Sequence, residues 1–193
     1  SGAVALAVNE RGESAHADGW GHWLGDEGSG FDIGRRGLQA ALRAMDGRGP
    51  QTQLLQRVRR AWGADFTHQI GDLNEDVAQA HRRIAGFAPE VVAAAQAGDC
   101  VAVEILRQAG RDLANTGASV LLRAGLLERP QVATIGSVFG HAALLREAFC
   151  QALAQLAPGV EVRWPALQPA EGAALLARDP KLVPSDVLVV TGR

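Results

Sequence analysis

The chain opens with a short apolar run, AVALAVN over residues 3–9, which predicts a buried strand. A turn sequence follows at 10–13, and residues 14–18 can return as a second strand, so this part of the chain predicts a hairpin. A glycine-dense stretch over residues 19–30, which we call the glycine loop, separates the hairpin from the helices that follow.

From residue 31 onward the apolar residues recur at helical spacing. Leu38, Leu42 and Met45 fall on one helix face, and the run DGRGP at 46–50 ends that helix. The further predicted helices are one from Pro50 with Leu55, Val58 and Trp62 on one face, a partly helical stretch at 63–84, one over 89–97, and a long helix from an Asp99 N-cap to about Gly125. The core face of the long helix carries Val103, Leu106, Gly110, Leu113, Gly117 and Val120. Its two glycines allow another element to approach closely.

Strands and helices alternate in the last third of the chain. The predicted elements are a strand at 131–135, a turn at 136–137, a helix at 141–156, a strand at 160–164, a helix at 171–178 and a last strand or extended tail at 187–190. A strand–helix–strand order favours parallel pairing, so the pattern predicts an α/β fold.

The composition agrees with one folded core and excludes several classes of protein. The 193 residues are 47% hydrophobic and 21% charged, with a formal net charge of −2. We therefore expect one sizeable core, and neither disorder nor a nucleic-acid partner. No apolar run approaches the roughly 18 residues that a membrane span needs, so we expect no membrane partner. Lys181 is the only lysine, which excludes a P-loop because that loop needs a lysine directly after its glycines.

The cysteines and histidines do not predict a metal site. Cys100 and Cys150 lie in no CxxC pattern and are typical of small buried residues in a reducing cytoplasm. The five histidines show no zinc-ligand spacing. We expect no metal ligand among the residues of this chain.

The glycine loop carries the strongest chemical signal. Its sequence GWGHWLGDEGSG places five glycines beside Trp20 and Trp23 and beside the carboxylates Asp26 and Glu27. So many glycines indicate close approach of a ligand or another backbone, and aromatic faces beside carboxylates suit a sugar. The alternative is a purely structural loop, with both tryptophans buried and Asp26, Glu27 or Ser29 capping the next helix.

A second signal lies at residues 134–140, where TIGSVFG joins a predicted strand to a predicted helix. Ligands of open α/β sheets bind beyond the carboxyl ends of strands, so this junction is a candidate binding site. An ordinary strand–helix turn has the same pattern.

The sequence GWGHWLGDEGSGFDIG at 19–34 resembles the C-terminal lobe of N-acetylglucosamine kinases and related glucosamine kinase-like proteins, of the actin-like ATPase superfamily. Three further segments support the resemblance: IAGFAP at 84–89, TIGSV at 134–138, which resembles the adenosine motif of the family, and PAEGAALLA at 169–177. The resemblance implies an actin-like ATPase (ribonuclease H-like) fold. Residues 1–193 would form a single C-terminal lobe with a helical insertion at about 31–128, and the N-terminal lobe would be missing.

The resemblance also implies the site residues. Those expected to bind the sugar substrate are Ser1, Gly2, Gly19, Trp20, Gly21 and Asp26, and those expected around the nucleotide are Ala85, Gly136, Ser137 and His141. Ser1 matches the last residue of the Gly-Thr-Gly-Ser phosphate loop of the family. Asp26 would accept hydrogen bonds from sugar hydroxyls, and Glu27 would support the loop. No catalytic residue is expected in the chain, because the general base belongs to the missing lobe.

The implied reaction transfers the γ-phosphoryl group of ATP, assisted by Mg²⁺, to a hydroxyl of N-acetylglucosamine or glucosamine. The present chain alone is expected to be inactive, since two lobes must close over the sugar to exclude water. The resemblance implies a cytoplasmic protein, with a homodimer as one candidate state.

Two other functions stay open. One is an ATPase that activates a 2-hydroxyacyl-CoA dehydratase; such activators hold an iron–sulfur cluster with cysteines, and Cys100 and Cys150 do not resemble that motif. The other is a non-catalytic module that binds a sugar or forms dimers.

Overall fold

The described part of the chain forms two separate two-stranded sheets and a set of helices. A computed structural model describes residues 2–73, 76–165, 167 and 169–178. The strands are β1 (Val4–Val8), β2 (Ser14–Asp18), β3 (Gln131–Ala133) and β4 (Glu161–Arg163). The helices are α1 (Gly30–Met45), α2 (Leu54–Trp62), α3 (Phe66–Asp72), α4 (Val77–Ala85), α5 (Ala88–Gln96), α6 (Cys100–Arg123), α7 (Ser137–His141), α8 (Ala143–Leu156) and α9 (Pro169–Arg178). The last predicted strand, at 187–190, lies outside the described residues.

The N-terminal hairpin is confirmed, but its burial differs from the prediction. β1 and β2 are antiparallel, with Val4 opposite Asp18 and Val8 opposite Ser14. One face of the hairpin packs on α6 in a small cluster of Ala7, Ala15, Val120 and Ala124. The opposite face of β1 carries exposed apolar side chains, with Val4 69% exposed. The prediction of a buried strand is therefore wrong for one face, because no described residue covers it.

The predicted parallel pairing at the end of the chain is also confirmed. β3 and β4 are parallel, with Gln131 opposite Glu161 and Ala133 opposite Arg163. α8 connects them and packs against α6. Gly110 permits this approach, since a Cβ there would lie 2.4 Å from the carbonyl oxygen of Leu145. The long helix is central to the core, as its glycine spacing predicts.

The main core lies among the first helices and α6. Its largest fully buried side chains are Ile33, Leu54, Val58, Phe66, Phe87, Val91, Leu106 and Leu145. α2 begins at Leu54, four residues later than the predicted start at Pro50. The reason is a contact distant in sequence: the hydroxyl of Thr52 and the N–H of Gln53 donate to Asp99 at 2.8 and 2.6 Å. No helix of the described residues is long and apolar enough to cross a membrane.

Asp99 joins two parts of this core. One carboxylate oxygen caps α6, as predicted, by accepting the N–H of Ala102 at 2.9 Å, and the other accepts from Thr52 and Gln53. Burial by itself raises the pKa of Asp99, but the hydrogen bonds that the carboxylate accepts outweigh burial and lower the pKa below its ordinary value of 3.8. The charged form is thus the one that the fold selects.

This lowered pKa predicts how stability depends on pH. The stability due to Asp99 is complete above the unfolded-state pKa of 3.8 and is lost as pH falls through the lower pKa of the folded state. We expect Asp99→Asn to lower the free energy of unfolding near neutral pH by about 1–3 kcal/mol, and this deficit to shrink below pH ~4. Urea unfolding of both proteins across pH measures it. A deficit that stays constant into that acidic range would contradict the assignment.

Candidate functional site

The glycine loop turns sharply between β2 and α1. Gly19, Gly21 and Gly28 have φ values of 80°, 86° and 76°, and the non-glycine residues Asp18 and Asp26 have φ values of 64° and 59°. This left-handed region favours glycine, and aspartate tolerates it better than most side chains. The loop is therefore a defined conformation in which two aspartates occupy strained positions.

Asp26 lies at the centre of the loop. Its side chain is buried, with the residue 7% exposed, and its Oδ1 accepts the N–H of Ala3 at 3.0 Å. Gly2 lies against the same carboxylate, since a Cβ there would be 2.7 Å from Oδ1. The structure thus brings together two residues predicted to bind sugar, Gly2 and Asp26, where β1 begins. Ser1 lies outside the described residues.

The two tryptophans of the loop are exposed. Trp20 and Trp23 are 72% and 80% exposed, so the alternative of a loop with two buried tryptophans is wrong. The flat face of Trp20 is open to a ligand. His22 points the other way, with its ring centroid 4.9 Å from that of Phe31 and 5.0 Å from that of His81 on α4. His22 also lies against Trp23, with the two ring centroids 4.9 Å apart, so this packing holds one side of the loop while the exposed face of Trp20 stays free for contact.

Asp18 is a residue of the site that the sequence patterns missed. Its carboxylate accepts three backbone N–H groups, those of Gly19 and Asp26 at 2.8 Å and that of Glu27 at 3.1 Å. Gly25 makes room for it, because a Cβ there would lie 2.2 Å from its Oδ1. The available signal was an aspartate directly before a glycine at the end of a strand.

The start of α1 is held by a second set of polar contacts. Of the three capping candidates, Ser29 caps the helix, with its Oγ accepting the N–H of Asp32 at 3.2 Å. The buried carboxylate of Asp32 accepts the N–H of Gly28 at 3.0 Å and pairs with Arg36, which also binds Asp112 of α6 at 2.8 Å. Burial lowers the pKa of Arg36, but the two carboxylates outweigh burial and raise it above its ordinary value. Sequence patterns do not reveal the pairing of Arg36 with Asp112, since it joins helices distant in sequence.

Three of the four residues predicted around a nucleotide line one cavity. Ala85, Ser137 and His141 border a volume of about 440 Å³, together with Gly30, Ile33, Ala88, Pro89, Val92, Ala93, Gln96 and Val138. Its walls are mostly small and apolar, and its volume is within the usual range of about 300–1,000 Å³ for small-molecule sites. Gly136 does not line the cavity; it precedes α7 with a φ of 123°.

α1 joins the two groups of residues. Gly30 and Ile33, in its first turns, line the cavity, and the glycine loop enters the same end of the helix. The residues predicted for sugar and for nucleotide therefore border one helix end from two sides. The described part of the chain holds no group of three or more His, Cys, Asp or Glu side chains that could bind a metal ion.

Comparisons with known proteins show the family of the chain. The family model described as the BadF/BadG/BcrA/BcrD ATPase family matches residues 1–177, and the chain belongs to that family. Among curated proteins, the chain is 31% identical over 183 residues to the N-acetylmuramic acid/N-acetylglucosamine kinase of Clostridium acetobutylicum, covering 92% of this chain and 58% of that protein. It is 30% identical over 188 residues to the N-acetyl-D-glucosamine kinase of Dictyostelium discoideum, covering 94% of this chain and 58% of that one.

A solved structure gives the same result for the fold. The crystal structure of a "Putative N-acetylglucosamine Kinase" from Chromobacterium violaceum matches with a TM-score of 0.71 and 30% identity, covering 91% of this chain and 56% of that one. The predicted α/β fold and the resemblance to amino-sugar kinases of the actin-like ATPase superfamily are confirmed. The chain spans a little over half the length of these relatives.

Close contact of the loop with α6 gives a prediction for Gly28. A Cβ at this position would lie 2.5 Å from the carbonyl oxygen of Ala109 and 2.6 Å from Cγ of Leu113, and its φ is positive. Gly12, in the turn of the hairpin, has a similar φ of 80° but open space around it. We expect Gly12→Ala to cost about 1–2 kcal/mol of stability through φ alone, and Gly28→Ala to cost about 1–3 kcal/mol more through the clash. Urea unfolding of the two variants measures the difference, and equal costs would show that α6 does not constrain the loop.

Proposed function

We propose that this chain is the sugar-binding and nucleotide-binding lobe of an ATP-dependent kinase for an amino sugar, N-acetylglucosamine or glucosamine. The observation that carries the proposal is that buried Asp26 and exposed Trp20 belong to one loop that enters α1, with a cavity lined by Ala85, Ser137 and His141 at the same end of that helix. The two curated relatives are both named as N-acetylglucosamine kinases, which favours a sugar kinase over a dehydratase activator.

The loop residues suit a sugar in both shape and charge. The Asp26 carboxylate uses one oxygen for the N–H of Ala3, and a carboxylate has further acceptor sites for a sugar hydroxyl. Trp20 offers an exposed flat face for the C–H side of a sugar ring. Gly19 and Gly21 flank it with positive φ values and no side chains. Glu27 supports the loop, since its N–H donates to Asp18.

The cavity at the other side of the α1 end suits an adenosine group, and ATP bound there would supply the phosphoryl group. Ala85 and Pro89 would contact the flat base, while Gln96, Ser137 and His141 provide the polar groups of the cavity. Gly136 fixes the sharp entry into α7 beside it. No residue of the chain is assigned as general base, which we place in a second lobe that also completes the site.

Mg²⁺ would accompany the phosphates, as in phosphoryl transfer generally. The described residues provide no metal-binding group, so we assign it no ligand from them. A cytoplasmic location and a homodimer belong to the same proposal, and so does the assignment of residues 1–193 to one lobe with a helical insertion at about 31–128.

An open cavity between the two sheets supports the proposal that more of the protein packs on this chain. Residues 4–8 of β1 and residues 131–135, which comprise β3 and the two residues after it, line a volume of about 480 Å³, which places strand edges at its walls. Gly117 and Val120 of α6 form another wall. Among the described residues, β1 pairs only with β2 and β3 only with β4. Such unpaired edges accept a further strand, which we assign to the part of the protein that this chain does not span.

Hydrogen exchange tests this assignment in the full-length protein. We expect amides of β1 and β3 to be protected as strongly as those of α6, because a strand between them would pair with both edges. The exposed turn at 63–65 is the unprotected reference. If the β1 amides that do not pair with β2 exchange as fast as that turn, no strand fills the cavity.

Asp26→Ala tests the sugar site. In the full-length protein we expect kcat/KM for the amino sugar to fall by about 10- to 100-fold, since a charged hydrogen bond to the substrate is lost, with little change in the KM for ATP. A coupled assay for ADP release with N-acetylglucosamine and with glucosamine measures this. The neighbouring variant Glu27→Ala, whose side chain is exposed, should change kcat/KM by less than about threefold.

Two results would contradict the proposal. Unchanged sugar kinetics in Asp26→Ala would remove Asp26 from the site. Absence of sugar-dependent ADP release by the unmodified full-length protein, together with tight binding of sugar in calorimetry, would favour the non-catalytic module instead.

A further inference from the structure

We propose that Asp18 is a positioning residue for the sugar site: its carboxylate holds the backbone at Asp26 so that the Asp26 side chain is presented to the sugar hydroxyl. The inference rests on the proposed role of Asp26 and adds a residue that does not itself contact the sugar. Its basis is that the carboxylate of Asp18 accepts three backbone N–H groups.

The three bonds close the glycine loop on itself. Oδ1 of Asp18 accepts the N–H of Gly19, at the entrance of the loop, and the N–H of Asp26, eight residues after Asp18, both at 2.8 Å. Oδ2 accepts the N–H of Glu27 at 3.1 Å. Because both oxygens are used and both ends of the loop are bound, the position of the Asp26 peptide is fixed relative to the end of β2.

The local backbone is arranged around this carboxylate. Asp18 itself has a φ of 64°, a conformation that costs free energy for a residue with a side chain. Gly25 does not have a positive φ, so a glycine is needed here because there is no room for a side chain. A Cβ would lie 2.2 Å from Oδ1 of Asp18 and 3.2 Å from Cβ of Trp20. A strained aspartate and a glycine that makes room for it are both explained by the bonds to residues 26 and 27.

The fixed backbone at Asp26 also restricts the position of the Asp26 side chain. Its φ of 59° and its bond to the N–H of Ala3 restrict the carboxylate to one orientation, in which it is buried against Gly2. The carbonyl oxygen of Asp26 accepts the N–H of Ser29, which caps α1. A shift of the Asp26 peptide would therefore move both the proposed sugar acceptor and the start of the helix that borders the nucleotide cavity.

Three variants at Asp18 separate positioning from stability. Asn has one acceptor oxygen, so Asp18→Asn leaves at least one of the three N–H groups without its acceptor. Asp18→Ala removes all three bonds and keeps the strained φ, whereas Asp18→Gly removes the same bonds and relieves the strain. We expect Asp18→Gly to be more stable than Asp18→Ala, and both to lose the same sugar activity.

The experiment measures kinetics and hydrogen exchange in the full-length protein. For Asp18→Ala and Asp18→Gly we expect kcat/KM for the amino sugar to fall by about 10- to 100-fold, because misplacement of an orienting group by about 1 Å is costly. The KM for ATP should rise by a smaller factor, since the same peptide leads into the helix that borders the nucleotide cavity. Gly25→Ala should reproduce this loss by displacing the carboxylate without removing it. The matched controls are Asp65→Asn, an exposed helix cap that makes no side-chain cap bond, and Gly71→Ala, which has open space in α3.

Residue-resolved hydrogen exchange of Gly19, Asp26 and Glu27, measured without sugar or ATP, tests the anchor independently of the proposed function. We expect these amides to be protected in the unmodified protein and to lose protection in Asp18→Ala.

Lost protection with unchanged sugar kinetics would overturn the positioning role while the kinase proposal stands. Protection that persists without the carboxylate would overturn the anchor itself. If sugar activity falls in parallel with thermal stability across the three Asp18 variants, Asp18 acts on the activity only through folding. If the unmodified protein phosphorylates no amino sugar, the proposed function fails, and the exchange result still decides whether Asp18 anchors the loop.

Discussion

The site depends on one constraint: the buried carboxylate of Asp26 must reach the N–H of Ala3 without a side chain in between. A buried carboxylate is costly unless it is hydrogen-bonded, and this bond joins the glycine loop to the start of β1. The glycines around it follow from the same requirement. Gly2 borders the carboxylate itself, Gly25 admits the side chain of Asp18, and Gly28 admits the backbone of α6. Two of the loop glycines, Gly25 and Gly28, thus admit an oxygen at close range, while Gly19 and Gly21 supply a positive φ.

Much of the fold could be predicted from the sequence because its signals are local. The hairpin, the Asp99 cap and the parallel pair at the end of the chain each rest on patterns within a few residues or on one crossover. The start of α2 was predicted too early because Asp99, 46 residues further along the chain, binds the N–H of Gln53. No periodicity encodes such a contact. The buried face predicted for β1 failed for a related reason, since an apolar run indicates that a surface is covered and does not say by what.

Local sequence patterns likewise predict some parts of the candidate site and miss others. The glycine loop and residues 134–140 were found as patterns, and the resemblance supplied the roles. The charged residues that hold the loop were missed, because Asp18 acts across eight residues and Arg36 joins Asp32 to Asp112 of another helix. Single acidic residues in a chain with many charges carry no signal of their own. Their importance appears only when a structure shows that they accept backbone N–H groups.

The position of α1 explains why these supporting contacts would matter for the proposed phosphoryl transfer. Such transfer depends on the relative placement of the acceptor hydroxyl and the phosphoryl group, and there is little covalent chemistry for the protein to perform. In this fold the proposed sugar acceptor precedes α1 by four residues, and the cavity for the nucleotide includes the first residue of that helix. A helix is rigid over its first turns. Fixing the N-terminus of α1 therefore fixes the positions of the proposed sugar site and the proposed nucleotide cavity relative to each other. The Ser29 cap, the Asp32–Arg36–Asp112 contacts and the Asp18 anchor all act on that terminus. They can therefore influence the reaction without touching either substrate.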